Sequence, residues 1–528
     1  MNYELNKVST KNAAEQLNVS VVSIHNWIKE GILKTTDNHI TQESLEEFKR
    51  EFLSNNKLSA RANKQYKESH NHKSLTEEIK KDLKSSMSGD ELSAKYESSL
   101  SDSYKNKEGI YYTPQYIVED MLKSIDITDD KLFLDPCCGS GNFIIEAIKK
   151  GISPKNIFGF DVDENAVAIT KKRIKEISGY ESKNIICADF LSQQSTANGQ
   201  QFDYIFTNPP WGKKINKRDK LRYSSLYNSG NSNDTSALFY FACLKVLKED
   251  GKIGMLLPDS FFNISSFENA RKSLLSLQID RFVDYGNAFK GLMTKAMAFV
   301  ATNGEWQKSN DKSFIECVIY NVKKHLRSQE SFGDIPKCIF NFHIEESESD
   351  IIRRVFSMPH IRLKDNAKWG LGVITGNNEK ICRKEKAVGC VPIYRGKDIM
   401  KNVLSEPSLF IDENLEGCRQ VADLELYKAP EKVIYRFISN KIVCFYDTEQ
   451  RYILNSANLF VLNEDFPISY SQLVDLLNSD FMNWLFRSIF NTHKILRGDL
   501  ETLPLFHEYF KKHETFSEET LKEYLSIL

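Results

Sequence analysis

The stretch KLFLDPCCGSGNF, residues 131–143, decides the fold of this 528-residue chain. Its apolar run predicts a buried strand that ends at Asp135, and Gly139 and Gly141 then permit a tight turn whose backbone can approach a ligand closely. A helix is predicted from Asn142. The glycines do not form GxGxxG and no Lys-Ser or Lys-Thr pair follows, which argues against a phosphate-binding loop. Because Asp135 stands where a pyrophosphate would lie, the turn favours a cationic or amine-bearing ligand.

The alternation of apolar strand and amphipathic helix continues from residue 156. Short strands separated by helical patterns predict βαβ units and a parallel sheet. The expected fold class is therefore α/β, with a doubly wound, mainly parallel sheet. Beyond about residue 330 the pattern is mixed and rich in aromatic residues, which predicts a separate α/β domain. The further predicted strands are NIFGFD (156–161), NIICAD (184–189), FDYIFTN (202–208), GKIGMLLP (251–258) and RFVDYGNAF (281–289).

Polar side chains follow the first four strands at their carboxyl ends, the edge at which open α/β sheets bind ligands. Asp161 is placed to accept hydrogen bonds from ribose hydroxyls, and Asp189 with Phe190 to bind the amino group and ring face of an adenine. Taken alone, Asp161 or Asp189 could equally be a helix N-cap. Together with Asp135 and Asn208, they predict a pocket for an adenosine that carries an amino-acid arm, S-adenosyl-L-methionine.

FTNPPWGKK, residues 206–214, ends the fourth strand and predicts the catalytic group. The lone pair of an exocyclic aromatic amine is delocalised into its ring, so hydrogen-bond acceptors are needed to draw the nitrogen towards tetrahedral geometry. Asn208 supplies a carboxamide oxygen and Pro209 a carbonyl oxygen, and the pair Pro209 and Pro210 holds both rigidly. Trp211 can stack on the base.

A base can be reached in this way only after it rotates out of the duplex stack. An aromatic side chain on the opposite wall should then hold it, and Phe289 is the candidate. The alternative is that Phe289 is a core aromatic. The basic stretch GKKINKRDKLR (212–222) is expected to be a loop that contacts DNA phosphates, rather than a merely solvated loop. Its basic residues are Lys213, Lys214, Lys217, Arg218, Lys220 and Arg222.

The overall composition narrows the class of protein. The net charge is −1 and the sequence pI is about 6.8, so a nucleic-acid surface must come from local segregation of charge. Ten cysteines without paired CxxC motifs predict no metal site and a reducing compartment. The start lacks a signal-peptide pattern and no apolar run approaches the length of a membrane span, which predicts a cytoplasmic protein without membrane contact.

The first 105 residues precede the alternating pattern. Residues 1–52 predict a helix-turn-helix unit similar to the MerR or excisionase type, with helices around Ala13–Leu17 and Ile24–Ile28, a turn at Asn18–Ser20, and an end at Gly31. The alternative is a docking or dimer module in which Trp27 is simply core. Residues 53–105 are polar and predict helices in a solvated linker.

The order of these motifs resembles that of the gamma-class adenine-N6 DNA methyltransferases. The stretch 372–447 resembles the TaqI-like specificity domain. The resemblance implies a class I S-adenosylmethionine-dependent methyltransferase domain over 106–330 and a target-recognition domain over 331–528. The motifs that carry it are GIYYTPQYIVEDML (109–122), LDPCCGSGNF (134–143), FGFDVD (158–163), ADFL (188–191), TNPPWG (207–212) and LFYFACLKVLKEDGKIGMLLPDSFF (238–262).

The resemblance also implies roles for single residues. Thr113 and Pro114 would lie over the methionine part of the cofactor, with Tyr112 beside them. Asp135, Cys137 and Gly139 would line its amino-acid arm, while Asp161, Asp189 and Phe190 bind the adenosine. Asn208, Pro209, Pro210 and Trp211 would hold the target amine, and Phe289 falls at the aromatic of motif VIII. Trp211 departs from the more usual Tyr or Phe, which changes the size of the pocket.

Target choice is expected to come from the C-terminal domain, since base-edge reading needs protruding donors and acceptors. Arg395, Arg436 and the stretch NTHKILRGD (491–499), with Lys494 and Arg497, are the candidates. Buried arginine–carboxylate pairs are the alternative for Arg395 and Arg436.

The function expected is site-specific transfer of a methyl group from S-adenosyl-L-methionine to N6 of a flipped-out adenine in double-stranded DNA, within or derived from a restriction-modification system. No PD…ExK nuclease array is found before residue 106, which leaves a separate restriction endonuclease chain as a partner. Two alternatives remain open from the residues: a protein-glutamine or RNA methyltransferase, and a DNA-binding regulator with an inactive methyltransferase fold.

Overall fold

The structure, a computed structural model, forms two compact units, residues 1–216 and 217–528. This division falls inside the segment 106–330 that the sequence assigns to one domain, and the predicted domain limits stay predictions. The described residues are 7–17, 21–29, 33–36, 39–49, 75–123, 125–126, 128, 130–192, 199–289, 292, 294–304, 314–492 and 494–526.

The first unit begins with a small module of short strands and helices. Its antiparallel sheet has the order β1-β3-β2, and Trp27 lies in its core, 3% exposed, with its ring 4.7 Å from that of Phe48. Both predicted helices are present, whereas the turn at 18–20 and Gly31 lie outside the described residues. DNA contact and docking both remain open for this module. Its elements are β1 (Lys7–Val8), α1 (Thr10–Leu17), α2 (Val21–Lys29), β2 (Thr35–Thr36), β3 (His39–Thr41) and α3 (Gln42–Phe48).

The described residues from 75 to 108 are helical, as expected, but they are packed rather than solvated. Residues 75–82 form one helical segment, followed by α4 (Gly89–Ser99) and α5 (Asp102–Glu108). Leu92, Tyr96 and Leu100 recur every four residues and are buried in one cluster with Ala166 and Ile169. The prediction of a solvated linker is therefore wrong for this part, because a narrow apolar stripe lies among many polar residues. Residues 53–74 lie outside the described part.

Four parallel strands form the sheet of the first unit, in the order β7-β4-β5-β6. The chain moves outward from β4 to β6 and then returns to the other side of β4, so a switch point lies between β4 and β7. The third strand ends at Cys187, two residues before the predicted end at Asp189. The elements are α6 (Gln115–Leu122), β4 (Phe133–Asp135), α7 (Asn142–Lys149), β5 (Ile157–Asp161), α8 (Glu164–Ser178), β6 (Ile185–Cys187) and β7 (Phe202–Thr207).

Local sequence explains these elements. All six residues of β7 are buried, as expected of a strand covered on both faces. Helix α8 begins where the Asp163 carboxylate accepts a hydrogen bond from the backbone N–H of Asn165, 2.9 Å away. It ends at Gly179, whose φ of +74° suits a glycine at a helix terminus.

The second unit begins with a helix where the sequence predicted a basic loop. Helix α9 starts at Lys217, so only residues 212–216 of the basic stretch are irregular; lysine and arginine are good helix formers, which the charge pattern concealed. Five strands follow in the order β12-β11-β9-β10-β8, with β10 antiparallel to both neighbours. The elements are α9 (Lys217–Tyr227), α10 (Thr235–Val246), β8 (Leu247–Pro258), α11 (Ser260–Asn263), α12 (Glu268–Leu274), β9 (Gln278–Asp284), β10 (Ala296–Thr302), β11 (Phe314–Ile319), β12 (Lys323–Ser328), α13 (Glu330–Gly333) and α14 (Glu346–Ser357).

The rest of the second unit mixes strands and helices, as expected of an α/β domain. Its sheets have the orders β13-β21-β18-β19, β17-β14-β20 and β15-β16. A large apolar core joins α17 and α18 to β18 and β21. The elements are β13 (Ala367–Leu371), α15 (Asn378–Ile381), β14 (Cys390–Tyr394), β15 (Ile399–Met400), β16 (Val403–Leu404), β17 (Phe410–Asp412), α16 (Leu424–Tyr427), β18 (Lys432–Arg436), β19 (Cys444–Asp447), β20 (Tyr452–Ile453), β21 (Ala457–Leu462), α17 (Tyr470–Asn478), α18 (Asp480–Phe490), α19 (Arg497–Leu500), α20 (His507–Phe510) and α21 (Glu518–Tyr524).

Two searches of the described residues returned nothing. Within the described ranges, no helix has the length and apolar character needed to cross a bilayer. In that same part of the chain, no three His, Cys, Asp or Glu side chains are grouped as metal ligands.

Candidate active site

Three of the predicted strand-end residues lie at neighbouring strands of the first unit. Asp135 ends β4, Asp161 ends β5, and Asn208 follows β7. Since β7, β4 and β5 are adjacent and parallel, their carboxyl ends share one edge of the sheet. The candidate site therefore flanks the switch point.

Asp135 is almost fully buried, with 1% of its surface exposed. Its carboxylate accepts hydrogen bonds from the Thr207 hydroxyl at 2.7 Å and from the backbone N–H of Cys137 at 3.1 Å. Burial raises the pKa of Asp135 to about 7. This carboxyl thus links the end of β7 to the turn after β4.

Asp161 holds the same turn from the next strand. Its carboxylate accepts from the backbone N–H of Gly139 at 2.9 Å and from that of Asp163 at 3.0 Å. Burial raises the pKa of Asp161 to about 6, against the opposing charge of Lys213. Part of the capacity of this carboxylate is used within the chain, although each oxygen can accept more than one bond.

The glycine turn lies close to its neighbours. Gly139 has a φ of +50°, and a Cβ added there would lie 3.3 Å from the ring of Tyr112. At Gly141, with φ +93°, a Cβ would lie 2.8 Å from the Thr170 side chain. Side chains at these two positions would fill the space over the turn, so its backbone stays open to a ligand.

The Asn208 carboxamide has one paired end and one unpaired end. Its Nδ2 donates to the Tyr111 carbonyl at 2.7 Å and to the Thr113 hydroxyl at 3.2 Å. Its Oδ1 is buried and finds no hydrogen-bond partner in the part of the chain that the structure describes. An acceptor of this kind costs stability unless a ligand satisfies it, and such groups mark functional sites.

Trp211 is held by the segment around Gly109. The Trp211 backbone N–H donates to the Gly109 carbonyl at 3.1 Å, and its ring lies 5.7 Å from that of Tyr111. Gly109 has a φ of +69°, and a Cβ there would overlap the Trp211 carbonyl oxygen. Trp211 is only 8% exposed, so its indole forms part of the wall of the site.

Asp189 and Phe190 follow β6. Asp189 Oδ1 accepts from the backbone N–H of Leu191 at 3.0 Å, the local turn bond that the sequence left as an alternative. Phe190 is buried and its ring lies 5.5 Å from that of Phe160. Their roles in adenine binding stay predictions.

The donor set fits S-adenosyl-L-methionine. Two buried carboxyls disfavour their own negative charge, so a positively charged ligand group beside them would restore ionisation. The open glycine turn and the Tyr112 ring leave backbone and aromatic surface for the rest of such a ligand. Tyr112, Thr113, Pro114, Asp135, Cys137, Gly139 and Asp161 are the residues that would hold it.

The second unit carries the other predicted residues. Phe289 is 7% exposed, and its stacking role stays a prediction beside the core alternative. Helix α9 presents four basic residues against one acid. In the first unit, Lys213 pairs with Glu108 at 3.0 Å, and Lys214 is exposed.

Two of the predicted DNA-reading arginines bind within the protein. Arg395 makes a two-point ion pair with Asp398, with N–O distances of 3.0 and 3.1 Å, which is the alternative that the sequence left open. Arg436 donates to the Ile399 carbonyl at 2.7 Å. Lys494 is exposed, as is Arg497, which pairs with Glu501 at 2.7 Å.

Several residues around Asn208 were missed at the sequence level. Tyr111 and Asn142 lie within quoted motifs but received no role, and Arg173 lies in the middle of α8. Arg173 is nonetheless 9% exposed, and its guanidinium donates to Ser140 and Asn142. An arginine among the apolar positions of a helix was the available indication.

The fold and the site define a class. The chain belongs to the N-6 DNA methylase family, whose model matches residues 87–350, and a TaqI-like C-terminal specificity domain matches residues 391–505. The resemblance stated from the motifs is thereby confirmed. The family match begins at residue 87, so it includes α4 and α5.

Particular relatives support this assignment. The chain is 45% identical over 401 residues to the type II methyltransferase M.VspI of Vibrio sp. (strain 343), which covers 75% of this chain and 97% of M.VspI. It is 27% identical over 195 residues to the modification methylase CviBIII of Paramecium bursaria Chlorella virus NC1A, covering 36% of this chain and 48% of that protein.

Solved structures share the fold. The type ISP restriction-modification enzyme LlaBIII bound to DNA matches with a TM-score of 0.52 at 11% identity, over 95% of this chain and 44% of that one. The type IIL enzyme MmeI in complex with DNA matches with a TM-score of 0.50 at 11% identity, over 78% of this chain and 70% of that one. The expected class I methyltransferase fold with a C-terminal domain is confirmed.

Proposed function

We propose that this chain is a site-specific DNA methyltransferase that moves a methyl group from S-adenosyl-L-methionine to N6 of an adenine rotated out of duplex DNA. The observation that carries the proposal is the buried, unpartnered Oδ1 of Asn208. An acceptor fixed at the end of a central strand suits a substrate that brings N–H donors. The N6 amine of adenine is such a substrate.

The residues of the site divide the work. When bound, the cofactor supplies an electrophilic methyl group on sulfur. Asn208 Oδ1 and the Pro209 carbonyl accept hydrogen bonds from the two N6–H groups, which localises the nitrogen lone pair. Since both acceptors are held before the base arrives, little reorganisation is needed.

Aromatic side chains would hold the extruded base. The indole of Trp211 is packed against the Tyr111 ring and fixed through its backbone to Gly109, so it offers a rigid stacking surface. Phe289 is proposed as the second aromatic. Rotation out of the stack costs a few kcal/mol, and stacking on these rings would offset it.

DNA contact is proposed for the basic side chains of residues 213–222 and for the exposed residues Lys494 and Arg497. Phosphate contacts place a protein on the duplex, while base-edge contacts choose the sequence. The match to a TaqI-like specificity domain over 391–505 supports target recognition by the C-terminal part.

We further propose that the chain is the modification enzyme of a restriction-modification system in the cytoplasm, with the restriction endonuclease on another chain. The match to nearly the full length of a type II methyltransferase supports this. Single-molecule sequencing of host DNA with and without the chain should show one methylated adenine context that depends on it.

Replacing Asn208 by Ala tests the catalytic assignment. Loss of the acceptor should lower the rate of methyl transfer to duplex DNA about 100- to 1000-fold, the effect of removing one preorganised polar group. Cofactor affinity, measured by calorimetry, should change little. Asn184→Ala is the matched control, because its amide binds the Lys155 carbonyl at the other end of the strands.

A radioactive transfer assay with duplex DNA, RNA and protein separates the alternatives. Digestion and mass spectrometry should find N6-methyladenine in the DNA arm. Label only in RNA or protein would contradict the proposal, and full activity in the Asn208→Ala variant would remove the catalytic role of Asn208.

A further inference from the structure

We propose that Arg173 and Asn142 are positioning residues that fix which end of the Asn208 carboxamide faces the substrate. The inference rests on the proposed function, because it takes Asn208 Oδ1 as the acceptor for the target amine. It joins groups on α8, α7, the segment 111–113 and the end of β7 into one chain of hydrogen bonds.

The first link is the orientation of Asn208 itself. A carboxamide can rotate by half a turn and exchange its oxygen with its nitrogen. The Tyr111 carbonyl, 2.7 Å from Asn208 Nδ2, can only accept a hydrogen bond, so a rotated amide would place two oxygens against each other. The segment 111–113 therefore keeps Nδ2 inward and leaves Oδ1 free for a ligand.

The second link fixes that segment. Asn142 Nδ2 donates to the Thr113 carbonyl at 3.0 Å, while Asn142 Oδ1 accepts from the Arg173 guanidinium at 2.8 Å. A carbonyl only accepts and a guanidinium only donates, so the Asn142 amide is oriented from both sides. Thr113 in turn presents its hydroxyl to Asn208 at 3.2 Å.

The third link is the seat of Arg173. Its NH1 also donates to the Ser140 carbonyl at 2.6 Å, and its Nε donates to Asp90 Oδ1 at 2.8 Å. Helix α4 comes so close that a Cβ on Gly89 would lie 2.5 Å from Arg173 Cγ. The guanidinium is thus held between α4 and the glycine turn.

These links give each polar group one allowed sense, from a fixed cation to the catalytic amide. A role in positioning predicts loss of turnover, whereas a merely structural role predicts loss of stability or of cofactor binding. The two roles are separable because one link can be broken with little change in shape.

Asn142→Asp breaks that link. The carboxylate still accepts from Arg173, and an acid in the first turn of α7 is favourable, so folding should be retained. The donor to the Thr113 carbonyl is lost and replaced by an oxygen. We expect kcat to fall about 10- to 100-fold, with the dissociation constant of S-adenosylhomocysteine within threefold of wild type.

Asn165→Asp is the matched control. Asn165 is also buried in this unit and also donates from its amide, to the Thr76 hydroxyl at 3.1 Å, but outside the chain of bonds. Its kcat should stay within about twofold of wild type. Arg173→Lys should retain more turnover than Arg173→Met, since one donor remains.

A double-mutant cycle gives the sharpest result. If Asn142 acts through Asn208, adding Asn142→Asp to Asn208→Ala should lower single-turnover rates no further. Losses that multiply would overturn the inference, as would a wild-type kcat for Asn142→Asp. Failure of the proposed function is distinguishable, because it would appear as no N6-methyladenine formed by the wild-type chain.

Discussion

At the scale of single residues, two buried carboxyls set the electrostatics of the site. Burial raises the pKa of Asp135 to about 7 and that of Asp161 to about 6. For an acid with a raised pKa in the folded state, the stability it contributes is present below its unfolded pKa, near 4, and is lost as the pH rises through the folded value. These two groups therefore make the ligand-free protein less stable as the pH rises from about 4 to about 7.

Cofactor affinity should show the opposite trend. If the positively charged arm binds beside ionised Asp135, affinity should rise about tenfold between pH 6 and pH 8, because a group with a pKa near 7 goes from about one-tenth to nine-tenths ionised. Calorimetric titration of S-adenosyl-L-methionine across this range measures it. Asp135→Asn should bind more weakly and with a flatter profile; a flat profile in the wild type would contradict the assignment.

Sequence patterns located Asp135, Asp161 and Asn208 because strand ends are encoded locally. They could not give the partners of those side chains. The bond between Asn208 and Tyr111 joins residues 97 positions apart, and that between Arg173 and Asn142 joins residues 31 apart. Arg395 shows the same limit: its partner Asp398 is close in sequence, yet only the fold decides between an ion pair and DNA contact.

At the scale of elements, the approach of the segment around Gly109 to Trp211 is the tightest constraint on the site. The backbone bond between them leaves no room for a side chain on Gly109. This segment also supplies Tyr111 and Thr113, so its position decides both the wall and the catalytic amide.

Gly109→Ala should therefore impair methyl transfer strongly, at least tenfold in kcat. Gly179→Ala is the control: its φ of +74° is similar to the +69° of Gly109, but an added Cβ meets nothing within 4 Å. Each variant carries the cost of a left-handed alanine, about 1–2 kcal/mol, measured by denaturant unfolding. Equal activity in the two variants would show that the contact with Trp211 is unimportant.

Most elements followed from periodicity, and the exceptions have physical reasons. The stripe of Leu92, Tyr96 and Leu100 is too narrow to raise the hydrophobicity of a polar stretch, so packed helices read as a linker. Residues 217–222 read as a loop because their charge dominated their helix propensity. Tertiary packing decided both cases.

At the scale of the whole molecule, charge is segregated rather than in excess. The net charge is −1, yet α9 carries Lys217, Arg218, Lys220 and Arg222 against Asp219. A surface of this kind binds phosphates through release of counterions, so binding weakens as salt increases.

Lys217→Gln should weaken binding to target and non-target duplexes by a similar factor, and should reduce the slope of log K against log salt by about 1. Fluorescence anisotropy at several salt concentrations measures both. Lys183→Gln, an exposed lysine beyond α8, is the control and should leave the slope unchanged. A loss confined to the target duplex would instead indicate base reading by Lys217.

The hydrogen-bonded chain from Asp90 to Asn208 is complete before the segment that matches the specificity domain begins at residue 391. Diversification of target sites can therefore proceed by exchange of downstream cassettes between homologues, while the chemical apparatus is inherited intact. Chimaeras joined beyond residue 350 would be the natural format for engineering new methylation patterns.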